Sequence, residues 1–86
     1  MKIIARVSIK GKSNHLKPEL VLRQTPGGEY EFGLLFNDGR RMQPIERRIS
    51  DLHKAVYRAN RWMEMFGKEN RIDLSSVQKE LISKIL

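Results

Sequence analysis

The fold is decided by residues 43–66, which read QPIERRISDLHKAVYRANRWMEMF. Apolar side chains recur in this stretch at alternating steps of four and three, at Ile45, Ile49, Leu52, Val56, Ala59, Met63 and Phe66. On an α-helix this spacing forms a single apolar stripe. Pro44 suits the first helical position, and Gly67 suits a left-handed stop. The stretch therefore predicts a long amphipathic helix from Gln43 to Phe66.

The opposite face of this predicted helix is basic. It carries Arg47, Lys54, Arg58, Arg61 and Lys68, with Asp51 and Met65 as interruptions. From residue 40 to residue 61 the chain holds seven basic and two acidic side chains, and the net charge of the whole chain is +7. A field of this size attracts polyanions. The helix is thus predicted to pack on the core with one face and to contact an anionic partner with the other.

The first half of the chain has the pattern of an antiparallel sheet. Alternating or apolar-rich runs predict three strands, at Lys2–Lys10, Glu19–Gln24 and Glu29–Phe36. Thr25-Pro26-Gly27-Gly28 predicts a tight hairpin turn, and Asn37-Asp38-Gly39 a second turn. After it, residues 40–42 are compatible with a short return strand or with a lead into the helix.

A second, shorter helix is predicted from Ser75 to the end of the chain. Ser75 and Gln78 have the spacing of a capping box, ahead of an apolar side that includes Leu81 and Ile85. The predicted fold is a single α+β domain of residues 1–86, in the order β-β-β-α-α, with a long helix covering one face of a three-stranded antiparallel sheet. The short helix packs either within the chain or against a second copy in a homodimer.

The sequence offers no set of residues for catalysis or metal binding. There are no cysteines, and His15 and His53 have no second His or Cys at ligand spacing. Glu29 and Glu31 could form a carboxylate pair, but Arg23 ends the preceding strand and should lie roughly opposite Glu29 after the hairpin turn, which predicts cross-strand ion pairing instead. We therefore expect no enzyme activity, no metal and no cofactor.

The sequence also lacks the features of a membrane or exported protein. Lys2, Arg6 and Lys10 interrupt the N-terminal run, so a signal peptide is not expected. No segment approaches the roughly 20 consecutive apolar residues that a membrane-spanning helix needs. We expect a cytoplasmic protein without membrane contact.

The function predicted from these features is binding of DNA or RNA by a small basic protein of regulatory or mobile-element type. Arginine and lysine contact phosphates, and an aromatic ring beside them can stack on a base. Trp62 could serve the same purpose or could pack at the rim of the core. The predicted nucleic-acid-binding residues are Arg40, Arg41, Arg47, Lys54, Tyr57, Arg58, Arg61 and Lys68.

Two other functions are compatible with the same composition. Arginine, tryptophan and methionine are enriched at protein interfaces, so Trp62 and Met65 could belong to a module or inhibitor that binds an acidic protein surface. A small ribonuclease of the toxin type is the third alternative, since such proteins are also small and basic.

Overall fold

The computed structural model describes residues 1–9, 18–36 and 41–86. Within them the chain forms four strands and two helices. These are β1 (Lys2–Ser8), β2 (Glu19–Gln24), β3 (Tyr30–Leu35), β4 (Gln43–Ile49), α1 (Leu52–Asn70) and α2 (Ser75–Ile85). The predicted α+β class is confirmed, with an antiparallel sheet of four strands where three were predicted. The predicted turn at 37–39, Arg40 and His15 lie outside the described residues.

The fourth strand corrects the predicted start of the long helix. Residues 43–49 pair with β3, with Tyr30 opposite Ile49, Phe32 opposite Glu46 and Gly33 opposite Pro44. Ile45 and Ile49 are four residues apart, and this spacing places two side chains on one face in a strand as well as in a helix. Pro44 is tolerated here because β4 is an edge strand of the sheet.

The helix α1 begins and ends later than predicted. Asp51 is the N-cap, and its carboxylate accepts a hydrogen bond from the His53 backbone N–H at 3.1 Å. This bond satisfies one of the amide groups that a helix start leaves unpaired. At the other end the left-handed residue is Arg71, with φ 56°, and Gly67 is an ordinary buried residue of the helix.

The sheet is a simple antiparallel meander in the order β1-β2-β3-β4. The predicted hairpin between β2 and β3 is confirmed. The Gly28 N–H donates to the Thr25 carbonyl at 2.9 Å, and the Thr25 N–H donates to the Glu29 carbonyl at 2.8 Å. Gly28 has φ 88°, a value that glycine adopts without steric cost.

Both helices contribute to a core on one face of the sheet. The buried core residues of the sheet are Ala5, Val7, Ile9, Leu20, Leu22, Phe32 and Ile49, and those of the helical region are Ala55, Ala59, Met63, Leu74, Val77 and Leu81. Leu52, at the centre of the predicted stripe, is only partly buried, because it is the first residue of the helix and not its middle.

The short helix α2 packs within the chain. Val77 and Leu81 are buried in the common core, and the Lys84 Nζ donates to the Arg6 carbonyl of edge strand β1 at 2.6 Å. Its N-cap residue is Leu74, whose side chain forms no capping hydrogen bond, so the predicted Ser75–Gln78 box does not form. The carboxylate of Asp73, one residue earlier, accepts a hydrogen bond from the Ser75 N–H at 3.0 Å. This hydrogen bond lowers the pKa of Asp73. The homodimer stays a prediction.

Candidate nucleic-acid interface

The exposed face of α1 brings four of the predicted site residues together. Lys54, Tyr57, Arg58 and Arg61 are all exposed, and each lies three or four residues from two of the others. Side chains at these separations are neighbours on a helix surface. The Asp51 cap fixes where the helix begins, so these four side chains follow one another along about two turns.

Strand β4, which precedes this helix, carries two further exposed arginines, Arg47 and Arg48. Tyr30 and Phe32 are two residues apart on β3, but their partners on β4, Ile49 and Glu46, are three residues apart. The extra residue makes a β-bulge, and Arg48 takes a left-handed φ of 58° there. A regular strand would direct one of two consecutive side chains toward the core. In the bulge both arginines are exposed.

An ion pair connects β4 to α1. The Arg58 Nη1 donates to the Glu46 Oε1 at 3.3 Å, and about half of the Arg58 side chain is exposed. An exposed pair of this kind contributes at most about 1 kcal/mol to stability. Its geometric effect matters more here, because it places a carboxylate of the strand next to the basic face of the helix.

Tyr57 and Arg61 form a second pair on the same face. The Arg61 guanidinium carbon lies 5.9 Å from the centre of the Tyr57 ring, within the range of a cation–π contact. Arg61 Nη1 is also 3.5 Å from the Tyr57 hydroxyl. The tyrosine is nevertheless 61% exposed. It therefore offers aromatic surface to solvent with a positive charge beside it.

These side chains border a shallow depression of about 290 Å³. Its lining consists of Glu46, Tyr57, Arg58, Arg61, Trp62 and Met65. Trp62 packs against the core at its rim and stacks on Phe66, with ring centres 4.9 Å apart and an angle of 24° between the rings. Trp62 thus packs at the rim of the core and also borders the depression.

The remaining predicted site residues are placed differently. Arg41 is exposed just before β4, and Arg40 lies outside the described residues. Lys68 pairs with Glu64 at 3.4 Å and borders another depression, where α1 meets α2. Lys68 is therefore not part of the group around Tyr57.

Glu46 and Arg48 were missed by the sequence-based prediction of the site. Glu46 falls in the first turn of the helix predicted from Gln43, where a carboxylate complements the helix dipole. No local signal reveals the bulge, because it arises from the pairing of β4 with β3. The one hint in the sequence is that Ile45 and Ile49, four residues apart, fit one face of a strand as well as one face of a helix.

The carboxylates of the sheet have structural partners. The Arg23 side chain donates through Nε and Nη2 to one oxygen of Glu31, at 2.8 and 2.6 Å, and Glu31 is buried. Cross-strand ion pairing is confirmed, with Glu31 as the partner where Glu29 was predicted. Arg6 likewise pairs with Glu19 at 2.7 Å, which raises the pKa of Arg6. These two arginines of the sheet are therefore largely neutralised.

The described parts of the chain contain no group of three or more His, Cys, Asp or Glu side chains that could hold a metal ion. None of the helices in those parts is long and apolar enough to cross a membrane. Comparisons with protein-family models, with curated proteins and with solved structures found no match. A functional assignment therefore depends on the surface formed by α1 and β4.

Proposed function

We propose that this protein binds nucleic acid through the exposed face of α1 and the bulged part of β4. The observation that carries the proposal is the grouping of cations around an exposed aromatic ring. Among the described residues, Lys54 and Arg61 beside Tyr57 form no ion pair with a carboxylate, and neither does the exposed Arg47 on β4. Arg6 of β1 and Arg23 of β2, by contrast, are paired with Glu19 and Glu31.

Phosphate contacts explain why unpaired cations matter. Lys and Arg side chains that neutralise phosphates release condensed counterions, so affinity falls steeply as salt rises. A cation that is already paired with a carboxylate contributes less binding free energy to a phosphate, because the carboxylate must be displaced or else repels the phosphate. The face of α1 is therefore the better candidate surface than the outer face of the sheet.

The proposed activity is binding without catalysis. The proposed location is the cytoplasm, where nucleic acid is accessible and where proteins need no disulfide bonds, in keeping with a sequence without cysteine. A small basic domain of this kind suits a regulatory protein that acts on nucleic acid or a protein of a mobile element. The affinities for DNA and for RNA, measured in the same assay, decide which of the two polymers the protein binds.

The test is fluorescence anisotropy with labelled DNA and RNA of random sequence across a salt series. We expect binding at low salt, with a log–log slope of roughly −3 to −5, corresponding to about four to six phosphates. Intact RNA after incubation separates binding from ribonuclease activity. Absence of binding at low salt, or a slope near zero, contradicts the proposal.

Charge reversal at Lys54 and Arg61 locates the surface. The double variant Lys54→Glu, Arg61→Glu is expected to reduce affinity at least about tenfold and to make the salt slope shallower by about two. The matched control reverses Lys2 and Lys79, which are exposed on β1 and α2. Equal losses in the two double variants would show that only net charge matters and that the surface is wrongly chosen.

A second candidate function is supported by one observation. Met65 is 57% exposed at the edge of the same depression as Trp62, and exposed Met, Trp and Arg side chains together are typical of protein interfaces. In this case the partner has an acidic surface, and the protein purifies without bound nucleic acid. The ratio of absorbance at 260 and 280 nm after low-salt purification distinguishes the two functions.

A further inference from the structure

The depression beside Tyr57 combines features that neither phosphate binding nor stability requires. Its wall includes two aromatic side chains, two planar guanidinium groups and a methionine, and Glu46 is the single acidic residue among the described residues that line it. Its volume of about 290 Å³ is just below the range of about 300–1,000 Å³ that is typical of small-ligand pockets. The depression is therefore suited to one flat ring system.

We propose that the depression takes an unstacked base of a single-stranded nucleic acid, with guanine preferred at this position. The inference rests on the proposed function and specifies its ligand. In a duplex the bases are paired and stacked, so only their edges reach a protein. In a single strand a base can turn outward and stack on an aromatic side chain.

Stacking is provided by Tyr57 and Arg61. The ring is 61% exposed, and the guanidinium next to it, at 5.9 Å from the ring centre, offers a second flat surface with a positive charge. Bases stack on both kinds of group. Lys54 is exposed one turn nearer the helix start, where it can neutralise the phosphate of an adjoining nucleotide.

The preference for guanine follows from Glu46. A carboxylate only accepts hydrogen bonds, and the Watson–Crick edge of guanine presents two adjacent donors, its ring N1–H and its exocyclic amino group. Thymine and uracil present one N–H between two carbonyl oxygens, which the carboxylate repels. Arg58 holds Glu46 through one contact of 3.3 Å to Oε1 and offsets the repulsion between this carboxylate and the phosphates.

The first experiment tests stacking. Fluorescence of Trp62, the single tryptophan, reports occupancy because a stacked base quenches a nearby indole. Tyr57→Ala is expected to weaken binding of a short oligothymidine with one central guanine at least about fivefold, whereas Tyr57→Phe, which keeps the ring, stays near the wild-type affinity. Binding of a duplex of the same length is expected to change less than twofold in both variants.

The second experiment tests base preference. The oligothymidine with a central guanine is expected to bind at least about fivefold more tightly than oligothymidine alone, by analogy with a bidentate contact between a side chain and a base. Glu46→Gln is expected to remove this preference, because an amide replaces one acceptor by a donor. Thermal melts of Tyr57→Ala and Glu46→Gln establish that both variants are folded.

The outcomes separate this inference from the proposed function. If wild-type protein binds no DNA or RNA at low salt, both fail. If it binds duplex and single strands equally, and Tyr57→Ala has no effect on either, the protein binds phosphates alone and the inference is wrong. If stacking is confirmed but Glu46→Gln leaves the preference unchanged, the assignment of guanine to Glu46 is wrong.

Discussion

At Gly33 the third and fourth strands approach so closely that no side chain fits between them. A Cβ atom built there would collide with the Gln43 carbonyl oxygen and would lie 2.8 Å from the Pro44 Cα. Both obstacles are backbone, so neither can turn away as a side chain could. Glycine is therefore required for β4 to pair with β3 at this point.

We expect Gly33→Ala to destabilise the protein by about 1–3 kcal/mol, the usual range for a group forced into occupied space. Gly27→Ala is the matched control, because its added methyl would meet only the Thr25 hydroxyl, at 3.8 Å. A change within about 0.5 kcal/mol is expected for the control. Denaturant unfolding of both variants measures the difference, and equal stabilities would mean that β4 does not lie as close to Gly33 as described.

The helix α1 packs on the core with one face and carries the candidate site on the other. Ala55, Ala59 and Met63 are fully buried, while Tyr57 and Met65 are more than half exposed. The two alanines leave no long side chain between helix and sheet at their positions. Met63 is therefore the largest side chain that α1 buries completely.

Two methionines of α1 provide a matched pair of substitutions. Met63→Ala is expected to cost about 2–5 kcal/mol, because it leaves a cavity in the core. Met65→Ala removes the same atoms from a side chain that is 57% exposed, and we expect a loss below about 0.5 kcal/mol. Thermal or denaturant melts of the two variants decide the assignment of faces, which is contradicted if Met65→Ala costs as much as Met63→Ala.

For the whole molecule, α2 completes the core and covers part of the edge strand β1. Val77 and Leu81 are 5% and 0% exposed, and Leu74 just before the helix is 3% exposed. Lys84 bonds to the backbone of β1, and the Gln78 side chain donates to the Asn60 carbonyl of α1 at 2.9 Å. The helix thus connects the first strand to the middle of α1.

Removal of α2 is expected to unfold the protein. A chain that ends at Asp73 loses three buried aliphatic side chains, each worth about 1.5–3 kcal/mol, from a total stability of roughly 4–13 kcal/mol for a domain of this size. Circular dichroism of the truncated chain should show no cooperative melt. The control is Lys84→Ala, which removes an exposed hydrogen bond to β1 and an exposed ion pair with Glu80. This variant should retain a cooperative melt. A folded truncated chain would contradict the role of α2.

The elements that could be predicted depend on neighbours in the chain. The hairpin of Thr25–Gly28 follows from proline and glycine chemistry, and most of α1 and all of α2 follow from apolar spacing. The same spacing places Lys54, Arg58 and Arg61 on the exposed face of α1, where the structure has them; their role in binding stays a prediction. Net charge and the absence of cysteine are fixed by composition alone.

Only the tertiary structure decided that residues 43–49 form a strand. Their two apolar side chains fit a helix and a strand equally, and the irregular pairing with β3 removes the alternation by which a strand is recognised. The choice is made by hydrogen bonds to β3 and by space at Gly33, which are contacts between distant parts of the chain. The same pairing places Glu46 beside Tyr57 and Arg58, and local sequence cannot specify such a contact because it depends on where the sheet lies under the helix.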